Sequence, residues 1–256
     1  MHLTFHKYQA TGNDFIIIDN RKYIFPKQKS TLIAKLCDRK FGIGADGVIL
    51  IEQAVKANFE MVYYNPDGSQ SFCGNGSRAA VKFAQSLGMI NGSGTFVASD
   101  GVHETNLSGE LIQIKMADVQ NGRKVLNGTF IDTGSPHYIE FVNKVDKLDI
   151  VNEGKKLRYA EEFEPNGSNI NFVEILEHGK IKVRTYERGV ENETLSCGTG
   201  VTASALAAVD AGLGDDFKIN TRGGELHVWL SATESGYANI WLEGPAKQVF
   251  AGEISI

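Results

Sequence analysis

The chain has 256 residues, with 26 basic and 31 acidic side chains and a formal net charge of −5 at pH 7. Its length allows one large domain or two small ones, and 42% apolar with 22% charged residues is an ordinary globular composition that excludes intrinsic disorder. The mild acidity, without a block of Lys and Arg, argues against nucleic acid or an anionic membrane as partner. The longest aliphatic runs, 16–18 and 48–51, fall far short of the ~18 residues of a spanning helix.

The N-terminal MHLTFHKYQATGND holds no apolar segment of signal-peptide length, and three cysteines cannot build a disulfide framework. A reduced, cytoplasmic protein is the expectation. Short strands are predicted in chain order at 3–8, 15–19, 48–52, 59–64, 111–116, 172–176, 181–186, 226–230 and 238–242. They are rich in β-branched and aromatic residues and separated by Gly, Asn and Asp turns. Helical periodicity is confined to four places. Over 30–40, Leu32, Ile33, Leu36 and Cys37 form an apolar face, with Ser30 or Thr31 as N-cap and Gly42 beyond the end. After Cys73, Ala80, Val81, Ala84 and Leu87 share one face and the helix stops at Gly88. A third helix is predicted around 146–156. The fourth follows Cys197, and its run of small residues (VTASALAAVDAGLG) implies burial on all sides.

The chain repeats itself. Gly12-Asn13 recurs as Gly134-Ser135 and Tyr64-Asn65 as Tyr186-Glu187, both 122 positions on, and Cys73-Gly-Asn-Gly recurs as Cys197-Gly-Thr-Gly after 124. This predicts two copies of one α+β unit, each bringing one cysteine to a shared cleft.

GIGADG (42–47) matches a dinucleotide fingerprint, but a helix precedes it and a strand follows, the reverse of what pyrophosphate binding needs, so a helix-to-strand turn is predicted. Gly74 and Gly198, by contrast, open helices. Unpaired amides at such a helix start bind an anion, here a carboxylate, and glycine admits it closely. Cys73 and Cys197 stand immediately before those turns, where the helix dipole and the free amides favour the thiolate. Cys37, on an apolar helix face, reads as an inert core cysteine. There is no C-x-x-C pair and no histidine ligand spacing, so no metal is predicted. A redox pair or a nucleotide-binding loop remains a competing reading. Two thiols on opposite faces of one carbon suit inversion of a stereocentre: one thiolate removes the Cα proton and the other thiol returns a proton from the far side. Donors at the two helix starts would hold the α-carboxylate as it takes up charge, and no cofactor is required.

The segments GNDFIIID (12–19), FGIGADG (41–47), YNPDGS (64–69), CGNGSR (73–78), GSPH (134–137), GSNINFVE (167–174), YERGVENET (186–194) and CGTG (197–200) carry a resemblance. The chain resembles the diaminopimelate epimerases, cofactor-independent enzymes of bacterial lysine and peptidoglycan-precursor synthesis within the two-cysteine amino-acid epimerase and racemase superfamily. The resemblance implies an α+β fold of two similar domains, each a mostly antiparallel, barrel-like sheet around a central helix. It places the first domain at 1–118 plus 247–256 and the second at 119–246, and implies a homodimer acting on LL- and meso-diaminopimelate. By position it makes Cys73 and Cys197 the acid and base, and His137 and Glu187 the residues that tune them. It makes Asn13, Asn65, Gly74, Asn75, Asn169, Glu187, Arg188, Gly198 and Thr199 the substrate contacts. Two positions depart from the family pattern: Gly47 stands where some members have Gln, and Ser135 where Asn is common, so neither contact is carried over intact. Racemisation of another amino acid is the nearest alternative, since the cysteines define the reaction and not the side chain.

Overall fold

A computed structural model describes residues 2–27 and 30–256 of the chain, which forms two units, Met1–Ile114 with Gly244–Ile256, and Lys115–Glu243. The first contains β1 (His2–Ala10), β2 (Asn13–Asp19), α1 (Ser30–Cys37), β3 (Gly47–Glu52), β4 (Phe59–Tyr64), α2 (Gly74–Ser86), β5 (Ser93–Ala98), β6 (Gly101–Ser108) and β7 (Leu111–Lys115). The second contains β8 (Val119–Gln120), β9 (Arg123–Val125), β10 (Gly128–Asp132), β11 (Pro136–Phe141), α3 (Ile150–Arg158), β12 (Asn169–Glu177), β13 (Lys180–Glu187), β14 (Asn192–Thr194), α4 (Gly198–Asp210), β15 (Asp216–Thr221), β16 (Gly224–Thr233) and β17 (Gly236–Pro245). The last strand, β18 (Lys247–Ser255), belongs to the first unit and pairs antiparallel with β1 from His2 opposite Ser255 to Gln9 opposite Lys247.

The same pairing sequence runs through both units. β1–β2 is antiparallel, β2–β3 parallel, β3–β4 antiparallel, β4–β5 parallel and β5–β6 antiparallel. In the second unit β10–β11 is antiparallel, β11–β12 parallel, β12–β13 antiparallel, β13–β15 parallel and β15–β16 antiparallel. The parallel steps are crossovers, and each is made by a helix: α1 and α2 in one unit, α3 and α4 in the other. The turns match as well. Gly12 at φ 86° leads β1 into β2 and Gly134 at φ 89° leads β10 into β11, a left-handed conformation that favours glycine. The sequence repeat is thus a structural repeat, and the mostly antiparallel α+β architecture is as predicted.

Each unit packs its sheet on both faces. In β3 all six residues are buried, because α1 covers one side and α2 the other, which is why 48–51 (VILI) reads as an unbroken apolar run. Ile33 and Leu36 of α1 join Leu3, Ile16, Ile18, Val48, Leu50 and Val62 in one core, and Tyr138, Ile150, Phe163, Ile170, Phe172 and Tyr186 form a core under α3. The central helices α2 and α4 each have 13 residues. Along α4 every residue from Gly198 to Ala208 is buried, as its small side chains predicted. The one-faced reading of α2 needs correction: Ser77, Arg78 and Ala79 are buried too, and Leu87 is the half-buried C-cap. A helix wrapped by its own sheet has no solvent face over its first turns. Buried hydroxyls on these helices bond back to carbonyls one turn earlier: Ser77 to Cys73 at 3.0 Å, Thr202 to Gly198 at 2.9 Å and Ser204 to Gly200 at 2.8 Å.

The expected third helix is α3, capped by Asp149, whose carboxylate accepts from the Asn152 amide. Ser30 and Thr31, predicted as N-caps of the first helix, lie inside α1, and the position before Ser30 falls outside the described residues. GIGADG is the predicted turn from α1 into β3.

Candidate active site

Cys73 and Cys197 are the N-caps of α2 and α4, with backbone angles of −136°, 107° and −129°, 114°. The two caps share one backbone geometry, and at Gly200 a side chain has no room. A Cβ at Gly76 would stand 3.4 Å from Cys73 Sγ, and one at Gly200 would stand 2.5 Å from Asn171 Oδ1 and 3.3 Å from His137. Cys37 differs: burial pushes its thiol up to about 11, which keeps it protonated and inert.

In the first unit the Gly76 amide donates to Cys73 Sγ at 3.3 Å, and the Cys73 thiol makes a long contact of 3.9 Å with Asn13 Oδ1. Asn75 Nδ2 also donates to Asn13 Oδ1, at 3.3 Å, so Asn13, Cys73 and Asn75 form one cluster. Asn13 is itself held by Asp46, which accepts from its Nδ2 at 2.7 Å, and Arg39 bridges Asp46 to Asp14. Burial works against ionisation of Asp14, but hydrogen bonds from Arg39 and Lys7 hold its carboxyl down at about 2. Asn65 lies in the turn after β4, where its Nδ2 donates to the hydroxyls of Ser69 and Ser71. At Gly47 a Cβ would stand 2.3 Å from the Tyr63 ring, so Tyr63 fills the space a side chain would need. Any contact Gly47 makes is therefore a backbone one.

The second unit links its cysteine to His137. Thr199 Oγ1 lies 3.5 Å from Cys197 Sγ and 2.9 Å from His137 Nε2, and Asn171 Nδ2 lies 3.0 Å from His137 Nδ1. His137 is fully buried; burial and the nearby Arg188 charge push it down to about 3, so it is neutral. Asn169, opposite His137 in the β11–β12 register, donates to Ser135 Oγ at 3.0 Å and Pro136 O at 2.9 Å, and accepts from the Arg188 amide at 2.9 Å. Both its Nδ2 hydrogens are used by these bonds, which order the Ser135 and Arg188 turns. Glu187, at the end of β13, accepts from Thr194 Oγ1 at 2.8 Å. The serine at 135 thus keeps a polar link to Asn169.

Sequence reasoning missed Asp46, Tyr63, Asn171, Thr185 and Arg78. Asn171 had a visible signal: it follows Asn169 by two on one strand, so both point to one face of an otherwise apolar segment. Thr185 donates to Asn171 Oδ1 at 2.9 Å and completes that network. Among the described residues no group of three or more His, Cys, Asp or Glu is arranged to hold a metal, and no helix is long and apolar enough to cross a membrane.

The fold has known counterparts. A phenazine biosynthesis protein of the PhzF family from Bacillus anthracis superposes with a TM-score of 0.77 at 16% identity, covering 100% of both chains. A hydroxyproline epimerase from Agrobacterium vitis, bound to trans-4-hydroxy-L-proline, gives 0.73 at 15% identity over 100% of this chain and 93% of its own. The likeness shows a shared two-repeat α+β scaffold, here with a cysteine heading the central helix of each repeat. A sequence profile described as "Diaminopimelate epimerase" matches residues 5–122 and 129–249, one span for each unit. A diaminopimelate epimerase from Flavobacterium psychrophilum is 49% identical over 96% of this chain and 97% of its own, and one from Chlorobaculum tepidum is 40% identical over 96% and 99%. The chain belongs to the diaminopimelate epimerase family.

Proposed function

We propose that the chain interconverts LL- and meso-2,6-diaminopimelate by two-base proton transfer at one α-carbon. The observation that carries this is the pair of matched helix caps, Cys73 on α2 and Cys197 on α4, within a family named for the reaction. One cysteine acts as thiolate and takes the α-proton. The C–H electron pair passes into the α-carboxylate, held by the amides that open α2 and α4 at Gly74, Asn75, Gly198 and Thr199. The other cysteine gives its S–H proton to the opposite face and becomes the thiolate. Each turnover thus exchanges the roles of the two thiols, and no electron acceptor is needed.

Arg188 and Glu187 read the distal amino-acid head, the guanidinium forking onto its carboxylate and Glu187 accepting from its ammonium. Asn13, Asn65 and Asn169 complete the polar lining, and His137 sets the state of Cys197 through Thr199. In this reading the two units serve as the two epimerase domains, and the enzyme works in the cytoplasm on lysine and peptidoglycan precursors. It works as a homodimer, an assembly supported by family resemblance.

The deciding experiment is incubation with LL-diaminopimelate in D2O, following meso product and α-deuteration by NMR and mass spectrometry. Meso product carrying deuterium at the inverted carbon is expected. Absence of both inversion and exchange would overturn the reading. Equal turnover of an amino acid without a distal zwitterion would favour the alternative, a general amino-acid racemase.

A further inference from the structure

Arg78 lies five residues after Cys73 on α2 and is fully buried. Its Nη2 donates to Thr11 Oγ1 and to Asn75 Oδ1, both at 3.0 Å, whereas its Nε and Nη1 have no partner among the described residues. Among the described residues no carboxylate pairs with it. A buried guanidinium without an anion is costly, and cavities lined only for packing do not keep one. Burial accordingly pushes Arg78 down to about 10, and negative charge on Cys73 opposes this.

The fold does not require this arginine. The corresponding position of α4, 124 residues on, is Thr202, which bonds back to Gly198 in a helix of the same length and cap geometry. Something particular to the first unit calls for a cation. The other charged groups around Cys73 are already matched. On the β2 side, Asn13 leads to Asp46 in the turn before β3 and to Asp14. Arg39 pairs with both carboxylates, at 2.7 and 2.6 Å, and Lys7 of β1 pairs with Asp14 at 2.7 Å. Among the described residues Arg78 is the cation here without an anionic partner.

We infer that Arg78 is a positioning residue for the reaction: held beneath Asn75, its guanidinium is the counter-charge that keeps Cys73 a thiolate and fixes Asn75 at the head of α2. The inference rests on the catalytic role proposed for Cys73. The readout that decides it is therefore taken without substrate, so that failure of diaminopimelate turnover and failure of this inference are separate results.

The test is the pH dependence of iodoacetamide alkylation at Cys73, located by peptide mass spectrometry, in wild type, Arg78→Lys and Arg78→Gln. The wild-type midpoint is expected well below the ordinary thiol value of about 8.5. Arg78→Lys, which keeps the charge, is expected to stay within about half a unit of wild type. Arg78→Gln is expected to move it up by about one unit or more, a tenfold loss of thiolate near neutral pH. The kcat of Arg78→Gln should then recover as pH rises, which a packing role alone does not predict. Cys197 in the same samples should titrate unchanged. A folded Arg78→Gln variant with the wild-type midpoint overturns the inference. So does a wild-type midpoint at or above 8.5, which decides the matter even if Arg78→Gln does not fold.

Discussion

His137 carries its own tautomer in its contacts. Asn171 Nδ2 donates both to the Tyr138 carbonyl and to His137 Nδ1, so Nδ1 is an acceptor and the proton sits on Nε2, facing Thr199 Oγ1. Thr199 then has its own hydroxyl proton to offer Cys197, which stabilises a thiolate there. The neutral state has a consequence for stability. With the folded value near 3 and the unfolded value near 6.5, the unfolded chain takes up the proton first, so stability is full above about pH 6.5 and falls as pH drops toward 3. One such group contributes a slope of about 1.4 kcal/mol per pH unit across the window. Urea unfolding at pH 7, 6 and 5 should show this slope in wild type and a shallower one, by one proton, in His137→Gln. Equal slopes would mean that His137 is protonated in the fold.

Arg188 is the other residue whose surroundings set an outcome. Its backbone is pinned by Asn169 and it is half-buried, but its guanidinium has no hydrogen bond or ion pair among the described residues. A planar fork so placed suits a carboxylate, and an ammonium at the same point cannot copy two parallel bonds. Arg188→Lys is expected to lower kcat/KM for diaminopimelate by about 10²-fold or more, at about 1.4 kcal/mol per tenfold. A change under threefold would return Arg188 to the status of a surface charge. The positions of Cys73 and Cys197 at the heads of α2 and α4 were legible in the sequence because their motifs are local. The side-chain role of Thr199 was not, because it depends on a histidine 62 residues away in the chain.

At the scale of elements, the strands read most clearly were those flanked by helices, such as β3 and β4, where burial on both faces removes polar residues. Those outside the predicted spans, β5, β6 and β15 among them, mix Gly, Asn, Lys and Glu with their apolar residues. The face of α2 was misjudged for a related reason: periodicity reports amphipathicity, and Arg78 and Ser77 look like a solvent face unless the sheet around them is known. The junction of β3 and β4 is where one residue sets an element's packing. Gly47 lies against the Tyr63 ring, so the glutamine that some family members carry has no room while Tyr63 is present. Gly47→Gln is expected to destabilise wild type by about 1–3 kcal/mol through overpacking, and to cost less than that when added to Tyr63→Ala, where the ring is absent. Denaturant midpoints of the single and double variants check this, and a Gly47→Gln protein as stable as wild type would show that the ring simply swings away.

At the scale of the molecule, duplication explains why so much was readable. Two copies of one unit print their spacing twice, and the offsets of 122 and 124 align turns, strands and both capping cysteines. What duplication does not encode is how each copy is closed. Lys115–Glu243 is continuous in sequence, whereas the first unit needs both chain ends, because β18 pairs with β1 along its length. β2 pairs with β1 only from His6 to Ala10, so residues 2–5 depend on β18 for their ladder. Removal of 247–256 leaves that half of β1 as an unpaired edge and uncovers Phe5, which packs edge-on against Phe250 at 6.0 Å. Hydrogen exchange of the truncated chain is expected to show loss of amide protection at 2–5 first. A smaller loss should follow across the rest of the first unit, and protection in α4 and the β11–β12 ladder should be kept. Protection lost equally in α4 and in β1 would mean that the two units unfold as one cooperative body, and that the strand at the end of the chain stabilises both.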